Sequence, residues 1–410
     1  MPQNASAPVS LTAASPAPVA GRNLPQTVVE TLRAAIHGHQ TDGAFIGLHI
    51  PTFKGNEWTY LKECIDTGWV SSVGKFVDRF EADLAAFCGV ERAIAVANGT
   101  AALHICLLLS DVVRDDEVLM PALTFVATAN AVSYCGAIPH FVDSEESTLG
   151  VDAARLAEHL AAIGERRPDG FTWNRQTGRR IKALVPMHAF GHPVDLDALA
   201  AICAEWNIIL IEDAAESLGS YYKGKHTGNV GRIAALSFNG NKVLTTGGGG
   251  AILTNDVELG RRAKHLTTTA KVPHRWDFVH DETAYNYRMP NLNAALGCAQ
   301  LEQLSGFLAQ KRDLASRYAA AFAAVPGIRF VEEPAFGRSN YWLNCLLLER
   351  GQEIQRDLIL AATNDVGLMT RPAWELMSRL PMYAACPAAD LSGAASIAAR
   401  LINIPSTVGL

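Results

Sequence analysis

Short apolar runs alternate with helical segments between residues 93 and 253, and this alternation restricts the fold more than any other feature of the chain. The runs 138–142 and 208–211 have the length of buried strands, whereas 196–206 has the length and spacing of a helix. Strands that alternate with helices predict a mainly parallel sheet with helices on both faces. The fold class is therefore α/β.

The pattern changes after about residue 255, where longer helices begin, notably 291–324, and a short strand candidate follows at 341–348. The first 25 residues are rich in Ala, Pro and Ser and lack both a basic start and a continuous apolar core. We predict a disordered tail over 1–25, a large α/β domain over 26–260 and a smaller C-terminal domain over 261–410.

The composition argues against several classes of partner. Apolar residues make up 49% and charged residues 19%, so a sizeable core can be buried, and the formal net charge is -6 without a long basic run. Nucleic acid is therefore not an expected partner. No apolar stretch reaches the roughly 18 residues that span a bilayer, so neither is a membrane.

The eight cysteines are scattered without a C-x-x-C motif, which is typical of a reduced compartment and predicts a cytoplasmic location. His188 and His192 stand four residues apart, but Gly191 and Pro193 interrupt any helix that would place them on one face. We expect no metal site there.

One lysine occupies an unusual position. Lys242 lies between an apolar run, 234–238, and four consecutive glycines, 247–250. Glycines allow a backbone to approach a ligand closely, and a partly desolvated amine can act as a nucleophile toward a carbonyl. A glycine hairpin beside a surface lysine is the alternative, since a glycine cluster is first of all a turn signal.

Polar and aromatic residues follow several predicted strands, where ligands of open parallel sheets bind. Asn98-Gly99-Thr100 follows a strand and opens a helix, so its backbone amides could hold a phosphate; a simple N-cap by Asn98 or Thr100 is the alternative. Ser237 could likewise donate to a phosphate or be an ordinary hydroxyl at a strand end.

An acid and an aromatic residue complete this set. Asp213, after Glu212, ends a buried strand and could pair with a cationic ligand atom or cap the next helix. Phe125 could stack on a flat ring or belong to the core. An amine, an acid, an aromatic face and a phosphate cup are the parts that pyridoxal phosphate requires.

These residues lie within motifs of a known family. The chain resembles the pyridoxal-phosphate aminotransferases of the DegT/DnrJ/StrS sugar family, in the aspartate-aminotransferase fold group (fold type I), from about Phe45 to the C-terminus. The resemblance rests on seven segments in order: W-V-S-S-V-G-K-F-V-D-R-F-E, A-N-G-T-A-A-L-H, T-F-V-A-T-A-N-A, V-P-M-H-A-F-G-H-P-V-D-L-D, I-E-D-A-A-E-S-L-G, S-F-N-G-N-K and Y-N-Y-R-M-P-N-L-N-A-A-L-G.

The resemblance implies a role for each of several residues. Lys242 would form the Schiff base with the cofactor and move the proton during transfer, and Asp213 would pair with the ring nitrogen. Glu216, where many relatives carry Gln or His, would lie near the ring hydroxyl. The remaining implied contacts are ring stacking by Phe125, phosphate binding by Gly99, Thr100, Ala101 and Ser237, phosphate binding in a neighbouring subunit by Asn286, and substrate contacts by His188 and Arg288.

The implied reaction moves an amino group from glutamate to C4 of a nucleotide-linked 4-keto-6-deoxy sugar, with pyridoxamine phosphate as the aminated cofactor, in a homodimer with shared sites. Three stretches, L-H-I-P-T-F-K-G-N-E, S-F-N-G-N-K-V-L-T-T-G-G-G-G and M-T-R-P-A-W-E-L-M, most resemble the subgroup acting on UDP-4-keto-6-deoxy-N-acetylglucosamine in bacillosamine- or legionaminate-type pathways. The alternatives are a GDP- or dTDP-linked 4-keto or 3-keto sugar, a sugar dehydratase, and a non-catalytic regulator of the same fold. Lys242 argues against the dehydratase, whose relatives carry histidine at that position. Lys242 and Asp213 together argue against the regulator, which would be expected to lose one of them.

Overall fold

The computed structural model of the chain describes residues 23–36 and 45–410. The predicted tail lies outside the described residues except for its last three, which begin the first helix: the Asn23 side chain accepts from the Gln26 amide as its N-cap. The helices within the described ranges are α1 Leu24–Ala35, α2 Glu57–Thr67, α3 Lys75–Cys88, α4 Gly99–Leu109, α5 Val126–Tyr134, α6 Ala153–Ile163, α7 Leu196–Trp206, α8 Val257–Thr267, α9 Asn291–Phe322, α10 Gln355–Asp365 and α11 Ser392–Arg400.

Within residues 23–36 and 45–410 the strands form one large sheet and three small ones. In chain order the strands are β1 Arg92–Val96, β2 Glu117–Pro121, β3 Ile138–Val142, β4 Gly164–Arg166, β5 Thr172–Asn174, β6 Arg180–Leu184, β7 Ile209–Asp213, β8 Tyr221–Tyr222, β9 Lys225–His226, β10 Ile233–Ser237, β11 Gly250–Thr254, β12 Lys271–Val272, β13 Val279–His280, β14 Ile328–Phe330, β15 Gly337–Arg338, β16 Asn344–Leu348, β17 Arg371–Pro372 and β18 Leu401–Ile404.

The large sheet confirms the predicted parallel architecture. Its strand order is β1-β11-β10-β7-β6-β2-β3, and the five strands β10, β7, β6, β2 and β3 run parallel to one another. β11 is antiparallel to both β10 and β1. The sequence pattern did not predict the hairpin β4–β5, whose second strand pairs with the first residues of β6.

Alternate residues along the central strands point to opposite faces of the sheet, as the two-residue period of a strand requires. Val118 and Met120 of β2 join the main core cluster, whereas Leu119 joins a second cluster with the buried residues of α6 and α7. Helices therefore cover both faces. This arrangement places the ends of β7 and β10 and the start of α4 at the same edge of the sheet.

The C-terminal part is built around the antiparallel sheet β14-β16-β18-β17. Its core also contains buried residues of α1, namely Val28, Val29, Leu32 and Ala35. The first helix therefore packs with the C-terminal elements, although the predicted division at residue 260 assigned it to the large domain. The long helix α9 contacts α2 and α3 near its start and β14 further along.

Local backbone and side-chain chemistry sets the start of two helices. α5 begins at Val126 because Phe125 is extended (φ -75°, ψ 144°). α6 begins at Ala153, after Asp152, whose side chain accepts from the Arg155 amide. In the described part of the chain no helix has the length and apolar content needed to cross a membrane.

Candidate active site

A cavity of about 290 Å³ opens at the edge of the large sheet where β7 and β10 end. It is lined mainly by the segments that follow β1, β2, β7 and β10, with two tryptophans from the C-terminal part. The lining residues are Asn98, Gly99, Thr100, Leu103, Phe125, Ala127, Met187, Asp213, Ala215, Glu216, Ser237, Asn239, Asn241, Lys242, Gly248, Gly249, Trp342 and Trp374. Seven of the eleven predicted site residues are among them.

Lys242 lies in the loop that connects the antiparallel strands β10 and β11. The loop returns to the sheet through the four glycines, and one of them, Gly250, has no room for a side chain. A Cβ atom there would lie 2.6 Å from the carbonyl carbon of Asn98. The glycine run therefore brings the lysine loop against the segment that opens α4.

The amine of Lys242 has two neighbours in the cavity. Its Nζ donates to Oε1 of Glu216 at 3.1 Å and lies 3.7 Å from the centroid of the Trp342 ring. The lysine side chain is 13% exposed. The amine is therefore partly removed from water and held between a carboxylate and an aromatic face.

Asp213 is the last residue of β7 and is buried, with 2% of its surface exposed. Its Oδ2 accepts from the Thr128 hydroxyl at 2.6 Å and its Oδ1 from the Ala215 amide at 3.2 Å. Burial raises the pKa of Asp213 above its ordinary value despite these bonds. Within the described ranges it forms no ion pair, so a cationic ligand atom here would supply the missing partner.

Glu216 is also buried, and its two oxygens have different donors. Oε1 accepts from Lys242, and Oε2 accepts from the Phe190 amide at 2.8 Å. Phe190 has φ 56°, in the left-handed region that costs a non-glycine residue energy, and this backbone conformation belongs to the turn that delivers the amide. Burial raises the pKa of Glu216 to about 7, although Lys242 lowers it.

The start of α4 forms another wall of the cavity. The Asn98 side chain accepts from the Ala101 amide at 2.8 Å, so Asn98 is the N-cap and the Ala101 amide is already paired. Gly99 and Thr100 line the cavity, whereas Ala101 does not. A Cβ on Gly99 would lie 2.8 Å from Cβ of Ser237, so glycine is needed for α4 to approach β10 this closely.

Aromatic side chains surround the opening. Phe125 is 49% exposed and therefore is not a core residue. Trp374 packs edge-on to Phe125 at 6.4 Å and stacks on Phe190 at 4.5 Å with an interplanar angle of 12°. The exposed face of Phe125 is available to a flat ligand.

Three of the predicted site residues lie away from the cavity. His188 is completely buried and donates from Nε2 to Glu212 at 3.0 Å, because its Nδ1 accepts from the Val194 amide. It does not line the cavity and so is not placed to contact substrate in this chain. Asn286 is exposed, and Arg288 lines a separate surface depression with Lys264 and Asp78.

Sequence patterns do not single out three residues of the site, two of which, Trp342 and Trp374, line the cavity. Trp342 lies in the predicted strand 341–348, and Trp374 lies in the motif M-T-R-P-A-W-E-L-M, but neither pattern indicates a role in the site. Thr128, which binds Asp213 through its hydroxyl, gave no signal of its own. Each joins the site through contacts between distant segments, so a local pattern could not reveal them.

The chemistry of the lining fits pyridoxal phosphate. An amine, a buried carboxylate without a cation, an exposed aromatic face and a helix N-terminus next to a hydroxyl line one cavity. These are the parts that hold the imine carbon, the ring nitrogen, the ring face and the phosphate.

Comparison with known proteins supports the same assignment. The profile described as the DegT/DnrJ/EryC1/StrS aminotransferase family matches residues 51–410. A GDP-perosamine synthase of Caulobacter vibrioides is 36% identical over 367 residues, which cover 89% of this chain and 94% of that protein. A putative pyridoxal phosphate-dependent aminotransferase of Bacillus subtilis, EpsN, is 36% identical over 342 residues, 82% of this chain and 84% of the other.

The fold of the chain is similar to that of a solved aminotransferase, TlmJ from Streptoalloteichus hindustanus. The two align with a TM-score of 0.80 and 29% identity, over 90% of this chain and 95% of TlmJ. The comparisons do not support the predicted similarity to the UDP-sugar subgroup. Three short stretches carried that expectation, whereas the similarity to a GDP-perosamine synthase extends over 367 residues.

Proposed function

The chain belongs to the DegT/DnrJ/EryC1/StrS aminotransferase family, and on this premise we propose that it transfers an amino group from glutamate to C4 of a GDP-linked 4-keto-6-deoxy sugar. Membership of this family makes the chain a pyridoxal-phosphate-dependent enzyme, a sugar aminotransferase. The donor, the nucleotide and the position of the amine are the proposal.

One observation carries the catalytic assignment. Lys242 and Asp213 come from different segments of the chain and line the same cavity. An amine and a buried carboxylate on one small cavity can hold opposite ends of a single aromatic cofactor. Had the two side chains faced separate cavities, the assignment would have failed.

Other lining residues are suited to hold the remaining parts of the cofactor. Phe125 would cover the ring, and Gly99, Thr100 and Ser237 would bind the phosphate at the start of α4. When bound, pyridoxal phosphate accepts the amino group and withdraws electrons from the carbon next to the nitrogen.

The chain's own residues then divide the remaining work. Asp213 would pair with the ring nitrogen of the cofactor and favour its protonated form, because an opposite charge at close range favours the charged state. Lys242 holds and returns a proton at Nζ, and its loop is fixed by the bond from its own amide to the Asn239 carbonyl. Burial of Asp213 and Glu216 keeps water from competing for these contacts.

The proposed nucleotide follows the relatives. Two GDP-perosamine synthases, from Caulobacter vibrioides and Vibrio cholerae, are 36% and 35% identical to this chain over about nine tenths of its length. This level of identity over most of the chain favours a GDP-linked substrate over the UDP-linked one that the sequence motifs suggested.

A direct comparison of substrates tests this proposal. The purified protein is incubated with glutamate and with equal amounts of GDP- and UDP-linked 4-keto-6-deoxy sugars, and the amino sugars are quantified by mass spectrometry. We expect the GDP-linked product to predominate and to be absent with Lys242→Ala. Faster amination of the UDP-linked sugar would overturn the choice of nucleotide and leave the aminotransferase assignment in place.

We also propose a homodimer in which Asn286 reaches the phosphate of the neighbouring subunit, with Arg288 close to the substrate there. Asn286 is exposed and does not line the cavity of its own chain. Large apolar side chains exposed on the same protein, Trp58 at 78%, Trp276 at 67% and Phe278 at 79%, support an interface. Sedimentation equilibrium should give twice the mass of one chain; a monomer that is fully active would contradict this arrangement.

A further inference from the structure

The surroundings of the Lys242 amine are built from two distant parts of the chain. Glu216 follows β7 in the large sheet, whereas Trp342 precedes β16 in the C-terminal part. Nζ of Lys242 lies 3.1 Å from Oε1 of Glu216 and 3.7 Å from the centre of the Trp342 ring. A carboxylate and an aromatic face are two groups that stabilise an ammonium ion.

Trp342 is held in place at three points. Its indole N–H donates to the Asn241 carbonyl, next to the lysine, at 2.7 Å. Its backbone amide donates to Oδ1 of Asn340 at 2.8 Å, and its carbonyl accepts from the buried amine of Lys311 at 3.1 Å. Trp342 is buried, with 4% of its surface exposed. The position of its ring beside Lys242 is therefore well defined.

A single buried side chain, Asn340, links the backbone of Trp342 to the backbone of Glu216. Asn340 accepts from the Trp342 amide through Oδ1 and donates through Nδ2 to the carbonyls of Glu216 and Leu218, at 2.9 and 3.0 Å. It is completely buried. Asn340 therefore connects the two backbone segments that carry Glu216 and Trp342, the residues that contact the amine.

We propose that Trp342 and Glu216 form a resting place for the amine of Lys242 whenever that amine is free, with Trp342 acting as a positioning residue. The proposal rests on the assignment of Lys242 as the lysine that binds the cofactor. The free amine is held as an ammonium at a fixed point of the cavity wall, from which it can give a proton to Glu216 and become neutral. In that step the N–H bond of Lys242 breaks, an O–H bond forms on Glu216, and both groups lose their charge.

Other charged and titratable groups face this pair and define what the test must separate. Asp213 lines the same cavity. Three buried groups also lie near the pair: His49 interacts electrostatically with Lys242, Cys345 with Glu216, and Lys311 donates to the Trp342 carbonyl. Burial lowers the pKa of His49, which therefore stays neutral near neutral pH. Asp213 is common to all the variants below, so differences between them report on Trp342 and Glu216.

The test measures the free amine directly. The full-length protein is freed of cofactor and labelled with an amine-reactive reagent at a series of pH values, and modification of Lys242 is followed by mass spectrometry. The exposed Lys225 serves as the internal reference in each sample. This readout needs neither sugar nor turnover, so a negative result would count against the resting place and not against the proposed function.

Removing either neighbour should make the amine reactive at lower pH. With Glu216→Gln we expect the labelling midpoint of Lys242 to fall by about 1–3 pH units, the usual effect of an opposite charge at this distance. With Trp342→Leu we expect a fall of about 0.5–1 unit. Trp342→Phe, which keeps an aromatic face but loses the indole N–H, should lie between Trp342→Leu and the unaltered protein.

The matched control is Trp374→Leu, which removes a tryptophan from the same cavity that stacks on Phe190 and has no contact with the amine. It should leave the labelling midpoint of Lys242 unchanged. Thermal unfolding of each variant identifies those that are merely destabilised. A midpoint for Trp342→Leu equal to or above that of the unaltered protein, or a shift of the same size in Trp374→Leu, would overturn the proposal.

Discussion

Two neighbouring acids on β7, Glu212 and Asp213, are both buried and yet have opposite surroundings. Glu212 accepts from the amides of Gly228, Val230 and Gly231, at 2.7, 2.8 and 2.6 Å, and from the His188 ring. Burial would raise the pKa of Glu212, but the bonds from His188 and these amides outweigh burial, and the pKa lies below its ordinary value.

Asp213 points to the other face of the sheet and has a hydroxyl and one amide as donors. There burial prevails, and its pKa is raised. The comparison teaches that burial alone does not identify a functional carboxylate. A buried acid whose oxygens are fully paired with its own chain holds the fold, whereas one that is paired incompletely and faces a cavity has capacity left for a ligand.

The largest expected effect is on turnover. Asp213→Asn removes the charge opposite the cofactor ring nitrogen, and we expect kcat to fall by roughly 10³-fold, about 4 kcal/mol of transition-state stabilisation. The cofactor-free protein should be at least as stable as before, because the substitution removes a buried carboxylate whose pKa is raised. Steady-state kinetics and urea unfolding check the two parts; unchanged turnover would refute the role of Asp213.

The reverse result is expected one residue earlier. Glu212→Gln places an amide NH₂ among backbone N–H donors and breaks the buried pair with His188, so the free energy of unfolding should fall by about 3 kcal/mol. Urea unfolding of the cofactor-free protein measures it. The same substitution at Glu216 is the matched control, since both are buried glutamates, one in β7 and the other three residues after it. Equal losses of stability in both variants would show that Glu212 contributes no more to folding than Glu216 does.

The pH dependence of stability should distinguish these acids as well. The pKa of Glu216 is raised to about 7 in the folded chain, so between about pH 4.5 and 7 the folded state binds more protons at this site than the unfolded state. Stability should therefore fall as pH rises through this window, by roughly 2–3 kcal/mol, and Glu216→Gln should remove this slope. Glu212, with its lowered pKa, contributes stability that is present above about pH 4.5 and lost as pH falls below it. Urea midpoints measured from pH 3 to 8 test both signs; a slope between pH 4.5 and 7 that persists in Glu216→Gln would assign it to another group.

The smallest expected effect concerns the Thr128 hydroxyl, which donates to Asp213. Thr128→Val removes the 2.6 Å hydroxyl bond while keeping the shape of the side chain. We expect cofactor binding to weaken by roughly tenfold, about 1.4 kcal/mol, because the carboxylate becomes harder to keep charged. Fluorescence titration with pyridoxal phosphate measures the change. Ser133→Ala, on the same helix but bonded to the Ala129 carbonyl, is the control that should bind normally.

The sequence predicted the sheet and much of the site because both depend on local patterns. The strands at 138–142 and 209–213 are short apolar runs, and a run of that kind folds as a strand wherever helices cover it. Residues at the ends of parallel strands meet at one edge, so Thr100, Asp213 and Ser237 were predictable as neighbours. The hairpin β4–β5 was missed because its two three-residue strands are too short to show a period.

The substrate and the surroundings of the lysine were less accessible to this reasoning. The UDP-linked sugar rested on short motifs, and comparison over most of the chain favours a GDP-linked one. The family resemblance predicts that His188 contacts substrate, but its buried ring bonds Glu212 and does not line the cavity. The direction of a side chain in a turn follows from tertiary packing, which no local pattern specifies.

By itself the sequence determined the α/β class, the direction of the central strands and the presence of Lys242 and Asp213 in one site. Periodicity and position at a strand end are properties of neighbouring residues, so a local pattern can reveal them. The tertiary structure alone decided that Trp342, about a hundred residues after Lys242, would cover the amine, and that Glu212 and Asp213 would differ in their donors. Those outcomes depend on which distant segments meet in the folded chain, and contacts at such separation leave no signature in local sequence.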